Sequence, residues 1–363
     1  MSGLVDIRPV DREFYASRLR GFVPERVIDF HVHIRPADKP RAVPPGVAAW
    51  AMAAGAPCRI EQVREAYGLM LPGVSVAPLV FGNPLRVDRV EANNAYVGAA
   101  AEQAGVPALL MNLPDWPTGD LEGRLDEHGF VGVKPYFTLA PHRPPNEVCI
   151  FDFLPPHQLE ALDRRKAIVM LHLPRPGRLA DPCNVRQLLE IARGYPRLGL
   201  VAAHVGRAYC VEDLGTALEA LGPAEGVCFD ISANTNAEVF RRLIAAVGPR
   251  RILFGSDLPI TRMRMRRICD AGRYVNLVPR GLYGDLAGDP HVREVEAPLA
   301  DELTLFLYEE LDAFRRAAET AGLGEAEVRD VFFGNAQRLL SAARGGMSPD
   351  PTGQRRVPRP EGA

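Results

Sequence analysis

The sequence lacks a membrane-spanning segment, since no stretch approaches the ~20 consecutive apolar residues that a membrane helix needs. Residues 1–20 carry charges throughout and lack the apolar core of a secretory signal. A basic excess is also missing, because 43 Lys and Arg residues face 45 Asp and Glu residues, for a net charge of -2. Binders of nucleic acid or anionic membranes draw much of their affinity from such an excess. We therefore expect a cytoplasmic protein that acts on a small molecule and binds neither nucleic acid nor membrane.

Cysteine pairs typical of zinc, haem or redox sites are missing as well. The two cysteines nearest in sequence, Cys210 and Cys228, stand 18 positions apart, so there is no CxxC motif. We expect the cysteines to be mostly buried free thiols. Lysine is scarce, with only Lys39, Lys134 and Lys166. Because arginine cannot replace a lysine whose chemistry needs a neutral or carbamylated amine, each lysine is a candidate functional residue.

The sequence does have a regular alternation of short apolar runs and longer amphipathic segments. Near-continuous apolar runs indicate strands buried on both faces, as in a parallel sheet joined by right-handed helical crossovers. Eight such units predict an α/β fold of the (β/α)8 TIM-barrel type. A doubly wound open sheet is the alternative, although no glycine-rich phosphate loop follows the first run. The runs are residues 27–33, 74–81, 107–112, 130–136, 167–172, 198–204, 226–231 and 250–257.

We expect residues 27–342 to form one barrel domain, between an amino-terminal extension (1–26) and a disordered tail (343–363). Segments 34–73, with two short helical patterns, and 261–300, rich in Arg, Gly and Pro, exceed what a minimal barrel needs and are predicted to be lid-like insertions over the carboxyl ends of the strands. Helical patterns lie at 44–54, 59–71, 87–104, 156–166, 184–195, 211–222, 236–247, 301–320 and 325–342.

Histidines and one aspartate mark the ends of several predicted strands. His31 and His33 stand two residues apart, so the period of a strand places both imidazoles on one face. His172, His204 and Asp257 end later runs, and the strand ends of a barrel converge on one mouth. Nitrogen and oxygen ligands suit zinc, manganese or another divalent transition ion. An isolated HxH pair is also compatible with structural histidines, but the combination predicts a metal site.

Several motifs follow one another in a fixed order between about residues 27 and 340. In this set the chain resembles the amidohydrolase superfamily, in the branch of metal-dependent TIM-barrel proteins that also contains aminocarboxymuconate-semialdehyde decarboxylase and resorcylate-type decarboxylases. The set is specific to the family and says little about the substrate. The motifs are Asp29–His33 (DFHVH), Gly132–Lys134 (GVK), His172, Ala203–Gly206 (AHVG), Gly255–Pro259 (GSDLP) and Gly334–Ala336 (GNA).

The resemblance implies a role for each residue at the predicted mouth. His31, His33 and His172 would be neutral imidazole ligands of one divalent metal ion. Asp257 would be the carboxylate ligand that also takes a proton from the metal-bound water. His204 would not be a ligand but would orient or shuttle that proton, which suits a side chain with a pKa near neutrality.

Other residues near the predicted mouth have open alternatives. The resemblance allows Lys134 to be a carbamate bridging two metals or an ammonium that binds substrate, and an ion pair is the structural alternative. Tyr136 shares the strand face of Lys134 and could offer its hydroxyl. Arg175 and Arg207 could bind a substrate carboxylate in bidentate fashion, or form loop salt bridges. Asp29 could orient a ligand or be a structural acid.

Taken together, the residues and the resemblance predict a metal-dependent hydrolase. It would activate a metal-bound water to attack a small, carboxylate-bearing lactone, amide or ester. We expect one divalent ion, with zinc preferred over manganese or another transition ion. The alternative reaction is non-oxidative decarboxylation of an unsaturated or aromatic acid. A catalytically silent barrel used for binding is the alternative of another class. A homo-oligomer is left open.

Overall fold

The computed structural model of the chain describes residues 5–35, 58–83, 89–140, 144, 146–284, 286 and 288–344. All eight predicted strands are present, and neighbouring strands pair in parallel in the orders β1-β2-β3 and β4-β5-β6-β7-β8. They are β1 (Arg26–His33), β2 (Ser75–Phe81), β3 (Ala108–Leu109), β4 (Gly132–Val133), β5 (Ile168–Leu171), β6 (Gly199–Ala202), β7 (Val227–Asp230) and β8 (Ile252–Leu253).

Hydrogen bonds join the two groups of strands at both ends. Leu110 forms a parallel bridge with Val133, which connects the β3 side to β4. At the other junction the N–H of Phe30 donates to the carbonyl of Phe254 at 2.9 Å, in continuation of β8. The strands therefore follow one another around a TIM barrel, as predicted, and the open-sheet alternative is wrong.

Helices connect the strands, in agreement with the amphipathic patterns. The predicted helix at 44–54 and residues 345–363 of the predicted tail lie outside the described residues. The described α-helices are α1 (Pro9–Phe14), α2 (Ile60–Met70), α3 (Val90–Ala104), α4 (Thr118–Glu127), α5 (Ile150–Phe153), α6 (Pro156–Arg164), α7 (Pro182–Gly194), α8 (Ala217–Leu221), α9 (Ala237–Val247), α10 (Leu299–Glu302), α11 (Phe306–Thr320), α12 (Glu325–Arg329) and α13 (Asn335–Ala343), and residues His204–Arg207 form a single left-handed turn. None of them is long and apolar enough to cross a membrane.

An irregularity in β1 decides which side chains face the barrel interior. Ile28 and Phe30 pack with apolar residues of other strands in an inner cluster, whereas Val32 packs in the larger cluster that includes the helices. The β1–β2 register shifts between Asp29 and Val32, as at a β-bulge. Because a bulge inserts one extra residue into the alternation, His31 can follow Phe30 on the interior side.

The segment after β8 contains a small sheet that the sequence analysis did not predict. Its order is β11-β10-β9, with β9 (Arg266–Asp270) antiparallel and β11 (Val292–Val295) parallel to β10 (Arg273–Pro279). A disulfide joins Cys269 of β9 to Cys210, which follows β6. The prediction of mostly buried free thiols is therefore wrong: two cysteines are bonded, and of the four free ones only Cys58 is buried. The fold brings together cysteines that are 59 positions apart, which local spacing cannot reveal.

Candidate metal centre

Three predicted ligands meet at the carboxyl end of the barrel. His31 and His33 of β1 and Asp257, which follows β8, place their donor atoms within 4.8 Å of one another. The Oδ1 atom of Asp257 lies 3.6 Å from Nε2 of His31 and 3.2 Å from Nε2 of His33. All three side chains are buried.

Hydrogen bonds fix which nitrogen of each imidazole carries the proton. Nδ1 of His31 donates to Oδ2 of Asp230 at 2.9 Å, and Nδ1 of His33 donates to the carbonyl of Gly82 at 3.1 Å. Both Nε2 atoms are therefore left with a lone pair, and both face Asp257. Oδ1 of Asp257 is buried without a hydrogen-bond partner among the described residues. Two nitrogen lone pairs beside an unpaired carboxylate oxygen repel one another, so these donors fit a bound divalent cation.

The charge states agree with this arrangement. Burial, followed by the charge of Lys134, lowers the pKa of His31 well below its ordinary value, so its imidazole is neutral as a ligand must be. Burial alone would raise the pKa of Asp257, but the neighbouring histidines lower it to about 2. His31 therefore presents a neutral nitrogen donor beside an ionised carboxylate.

His204 stands beside this group with its own fixed tautomer. Its Nδ1 donates to the carbonyl of Ser232 at 3.0 Å, which leaves Nε2 unprotonated. Its ring centroid lies 4.6 Å from that of His31. The backbone is left-handed from His204 to Arg207, with φ between 53° and 66°, an arrangement that costs energy in residues other than glycine and is concentrated at functional sites.

Two residues that the sequence analysis missed hold the histidines in place. Asp230 accepts from Nδ1 of His31 through one oxygen and from the backbone N–H of His204, at 2.8 Å, through the other. The hydroxyl of Ser232 donates to Asp230 and lies 2.9 Å from Nδ1 of His204. His31, His204 and Asp230 also form a compact donor group, but Asp230 is already occupied by these hydrogen bonds. The signal was present in the sequence, because Asp230 and Ser232 stand two apart at the end of a buried run.

Asp29 links the two strands that carry the ligands. Its Oδ1 accepts from the N–H of His31 at 3.1 Å and from the N–H of Ser256 at 2.8 Å, while the hydroxyl of Tyr67 donates to Oδ2 at 2.7 Å. Burial raises the pKa of Asp29 to about 6. The carboxyl group thus ties the backbone of one ligand to the residue before Asp257.

His172 is not part of the close donor group. Its ring stacks on Phe137 with centroids 5.6 Å apart and meets the His204 ring edge-on at 5.3 Å. Its nitrogens make no hydrogen bond within the part of the chain that the structure describes. Burial, followed by the charge of Arg207, lowers its pKa well below the ordinary value. A neutral imidazole suits a ligand, and that role stays a prediction.

Lys134 and Tyr136 are buried beside the ligand histidines, in the segment that begins with β4. Nζ of Lys134 lies 3.5 Å from Nε2 of His31, and Lys134 forms no ion pair with any described residue. Burial lowers the pKa of this ammonium to about 8. The hydroxyl of Tyr136 donates to the carbonyl of Gly82 at 2.9 Å, the same oxygen that anchors His33. Lys134 is thus a buried cation without a carboxylate partner in the described chain, and Tyr136 supports a ligand.

The two arginines predicted to bind substrate differ in how they are engaged. Arg175 donates from Nε to Asp181 at 3.0 Å and from Nη1 to the carbonyl of Glu147 at 3.2 Å. Arg207 donates from Nη1 to the carbonyl of Leu173 at 2.9 Å, but its Nε is buried without a partner among the described residues. Only Arg207 keeps a buried donor for a substrate oxygen.

The family of the chain follows from comparison with known proteins. The family profile described as Amidohydrolase matches residues 28–341. The chain therefore belongs to the amidohydrolase family, whose members are metal-dependent enzymes that act on small molecules and include hydrolases and decarboxylases. No curated protein matches the chain.

Solved structures similar to this chain include both kinds of enzyme. A zinc-bound amidohydrolase from Burkholderia multivorans aligns with a TM-score of 0.55 and 15% identity, over 87% of this chain and 99% of that one. A 2,6-dihydroxybenzoate decarboxylase from Rhizobium aligns with a TM-score of 0.54 and 15% identity, over 88% and 99%. A probable 2-pyrone-4,6-dicarboxylic acid hydrolase from Acinetobacter baumannii aligns with a TM-score of 0.52 and 15% identity, over 87% and 99%. At this identity the likeness shows the fold alone.

Proposed function

We propose that the chain is a zinc-dependent hydrolase of a small lactone, amide or ester that carries a carboxylate. The observation that carries this proposal is the pair of unprotonated Nε2 atoms, on His31 and His33, facing the unpaired Oδ1 of Asp257. A zinc-bound structure among the similar proteins supports the choice of ion. A cytoplasmic location and a homo-oligomer remain predictions.

His31, His33 and Asp257 would hold the ion. A bound divalent ion lowers the pKa of water from ~15.7 towards ~7 and polarises a carbonyl oxygen. Asp257 accepts the proton released by the attacking water, because its carboxylate is ionised and faces the site. His204, whose Nε2 is unprotonated, would take up this proton and pass it to the leaving group, while Ser232 keeps its ring oriented. His172 is proposed as a further ligand on the family resemblance.

Recognition of the substrate carboxylate is assigned to Arg207 and Lys134. Nε of Arg207 has no partner among the described residues, and Lys134 forms no ion pair there. A carboxylate bound between them would satisfy both groups through charge-assisted hydrogen bonds. Arg175 is not proposed for this role, since Asp181 and the Glu147 carbonyl engage it.

The two arginines offer a matched test. Wild type, R207Q and R175Q, each loaded with zinc, are assayed on carboxylate-bearing lactones, amides and esters and on their neutral methyl-ester or methyl analogues. R207Q should lose about tenfold to 100-fold in kcat/KM on the acids only, as expected for one charge-assisted contact. R175Q should keep the preference for acids. Equal losses in both variants would contradict the assignment of Arg207.

The same panel separates hydrolysis from decarboxylation. Unsaturated and aromatic acids are included, and released CO2 is measured beside ring opening or acid formation. Hydrolysis without CO2 supports the proposal. Release of CO2 in preference to hydrolysis would make the chain a decarboxylase, which uses the same ion but protonates a carbon atom. Zinc binding without turnover on any member of the panel would favour a silent barrel used for binding.

A further inference from the structure

Cys149 and Cys183, which are not part of the candidate metal centre, lie almost within bonding distance of each other. The Sγ atoms of Cys149 and Cys183 are 3.0 Å apart, and a disulfide needs ~2.05 Å, so an approach of about 1 Å would join them. Both side chains are partly exposed, which leaves them accessible to a small reagent. Next to Cys149, the N–H of Ile150 donates to Oε1 of Gln187 at 2.7 Å, which fixes this segment against α7.

The backbone around the pair is held by contacts that do not involve the thiols. The N–H of Cys183 donates to Oδ1 of Asp181 at 2.9 Å. Arg175 bridges the two segments, with Nε on Asp181 at 3.0 Å and Nη1 on the carbonyl of Glu147 at 3.2 Å. The thiols are therefore juxtaposed by the fold itself, so little conformational entropy opposes a bond between them.

We propose that Cys149 and Cys183 form a second disulfide by exchange with a low-molecular-weight disulfide such as oxidised glutathione. One cysteine thiolate attacks the small disulfide and releases a small thiol. The other cysteine then displaces the second small thiol, so two protein thiols are oxidised and the small disulfide is reduced to two thiols. The product links the segment before α5 to the start of α7, as the Cys210–Cys269 bond already links the segment after β6 to β9.

The conditions for the exchange follow from the surroundings of the thiols. Burial, followed by the hydrogen bond with Cys149, raises the pKa of the Cys183 thiol to about 11. The thiolate of Cys183 is therefore scarce at neutral pH, and the exchange is best carried out at about pH 8.5.

Thiol counting and peptide mapping test the proposal directly. The full-length protein is reduced, desalted, incubated with excess oxidised glutathione and then denatured. Of its six cysteines, only Cys58 and Cys228 should remain as free thiols, and non-reducing mass spectrometry should find the peptides of Cys149 and Cys183 joined. Four remaining thiols, or separate glutathione adducts on Cys149 and Cys183, would overturn the proposal.

Two serine variants provide matched controls. C183S should lose the joined peptide, whereas C58S should keep it. Oxidation should raise the Tm of wild type by about 5 °C more than that of C183S, because closing this loop restricts the unfolded chain. C183S retains the Cys210–Cys269 pair, so the difference isolates the second bond. Equal shifts in the two proteins would contradict a cross-link that stabilises this segment.

Discussion

The two sides of the candidate site differ in how firmly their side chains are held. On the side of β1 and the residues after β8, each imidazole nitrogen that turns away from the site has a hydrogen-bond acceptor, such as Asp230 for His31. On the side of β4 to β6, His172 has only ring contacts in the described chain, Nε of Arg207 is unpaired and Lys134 lacks an ion pair there. The first side is therefore preorganised to bind an ion. The second side has polar groups without partners in the described chain, which are left to bind a substrate.

Removing the imidazole of His204 should have the largest effect on the rate. H204N should retain the metal and lower kcat by ~10²- to 10⁴-fold, because a positioned proton donor and acceptor contributes about this much. Metal content and kcat of the same preparation are measured together. Loss of metal in step with activity would make His204 a ligand, and normal turnover would remove it from the mechanism.

Removing a hydrogen bond that anchors a ligand histidine should weaken the binding of the metal ion rather than the binding of the substrate. D230N leaves an amide beside Nδ1 of His31 and should lower metal affinity about tenfold to 100-fold, because partners of ligand histidines fix their orientation and basicity. Competition with a chromogenic chelator measures this change. D270N, at an exposed aspartate of β9, is the control. Unchanged affinity in D230N would show that this anchor is dispensable.

Lys134 tests the substrate side. If it is an ammonium that binds a carboxylate, K134A should keep one metal ion and raise KM about tenfold to 100-fold, equivalent to roughly 1.5–3 kcal/mol. A carbamate bridge predicts a different result, with two ions in wild type and fewer in K134A. Metal stoichiometry and KM together decide between these roles.

We expect the smallest effect from the buried acid Glu310, and we expect it in the pH dependence of the free energy of unfolding. Glu310 accepts from the N–H of Ala233 at 2.7 Å, its other oxygen is buried without a partner among the described residues, and burial raises its pKa well above the ordinary value. The folded state therefore binds a proton that the unfolded state has released, so the free energy of unfolding falls as pH rises towards the folded pKa, by about 1.4 kcal/mol per pH unit.

E310Q keeps an acceptor for Ala233 but cannot titrate. Between about pH 7 and 8, where Asp29 is largely ionised, urea unfolding should give a flatter pH dependence for E310Q than for wild type. The same slope in both proteins would show that Glu310 is ionised when folded.

Sequence reasoning found the residues whose position follows from strand ends. His31, His33 and Asp257 could be predicted to meet because parallel strands in a barrel direct their carboxyl ends to one mouth. The bulge in β1 could not be predicted from the sequence. A strict alternation would place His31 on the other face of the strand from Ile28 and Phe30, whereas the bulge brings it to the same face.

Residues that act through long-range contacts were harder to find. Asp230 was overlooked because an acid at a strand end is common, and only the fold shows His31 opposite it. The partners of Arg175 and the Cys210–Cys269 bond likewise depend on loop positions, which periodicity does not encode.

Metal content, measured together with activity, shows whether His31, His33 and Asp257 form a metal site. Wild type, H31A, D257A and H172A are stripped with a chelator, reloaded with zinc and analysed for the element per chain. We predict about one ion in wild type, almost none in H31A and D257A, and a partly retained, more weakly bound ion in H172A, since Asp257 and the two anchored imidazoles of His31 and His33 remain. Full metal in both H31A and D257A would show that the ion is bound elsewhere.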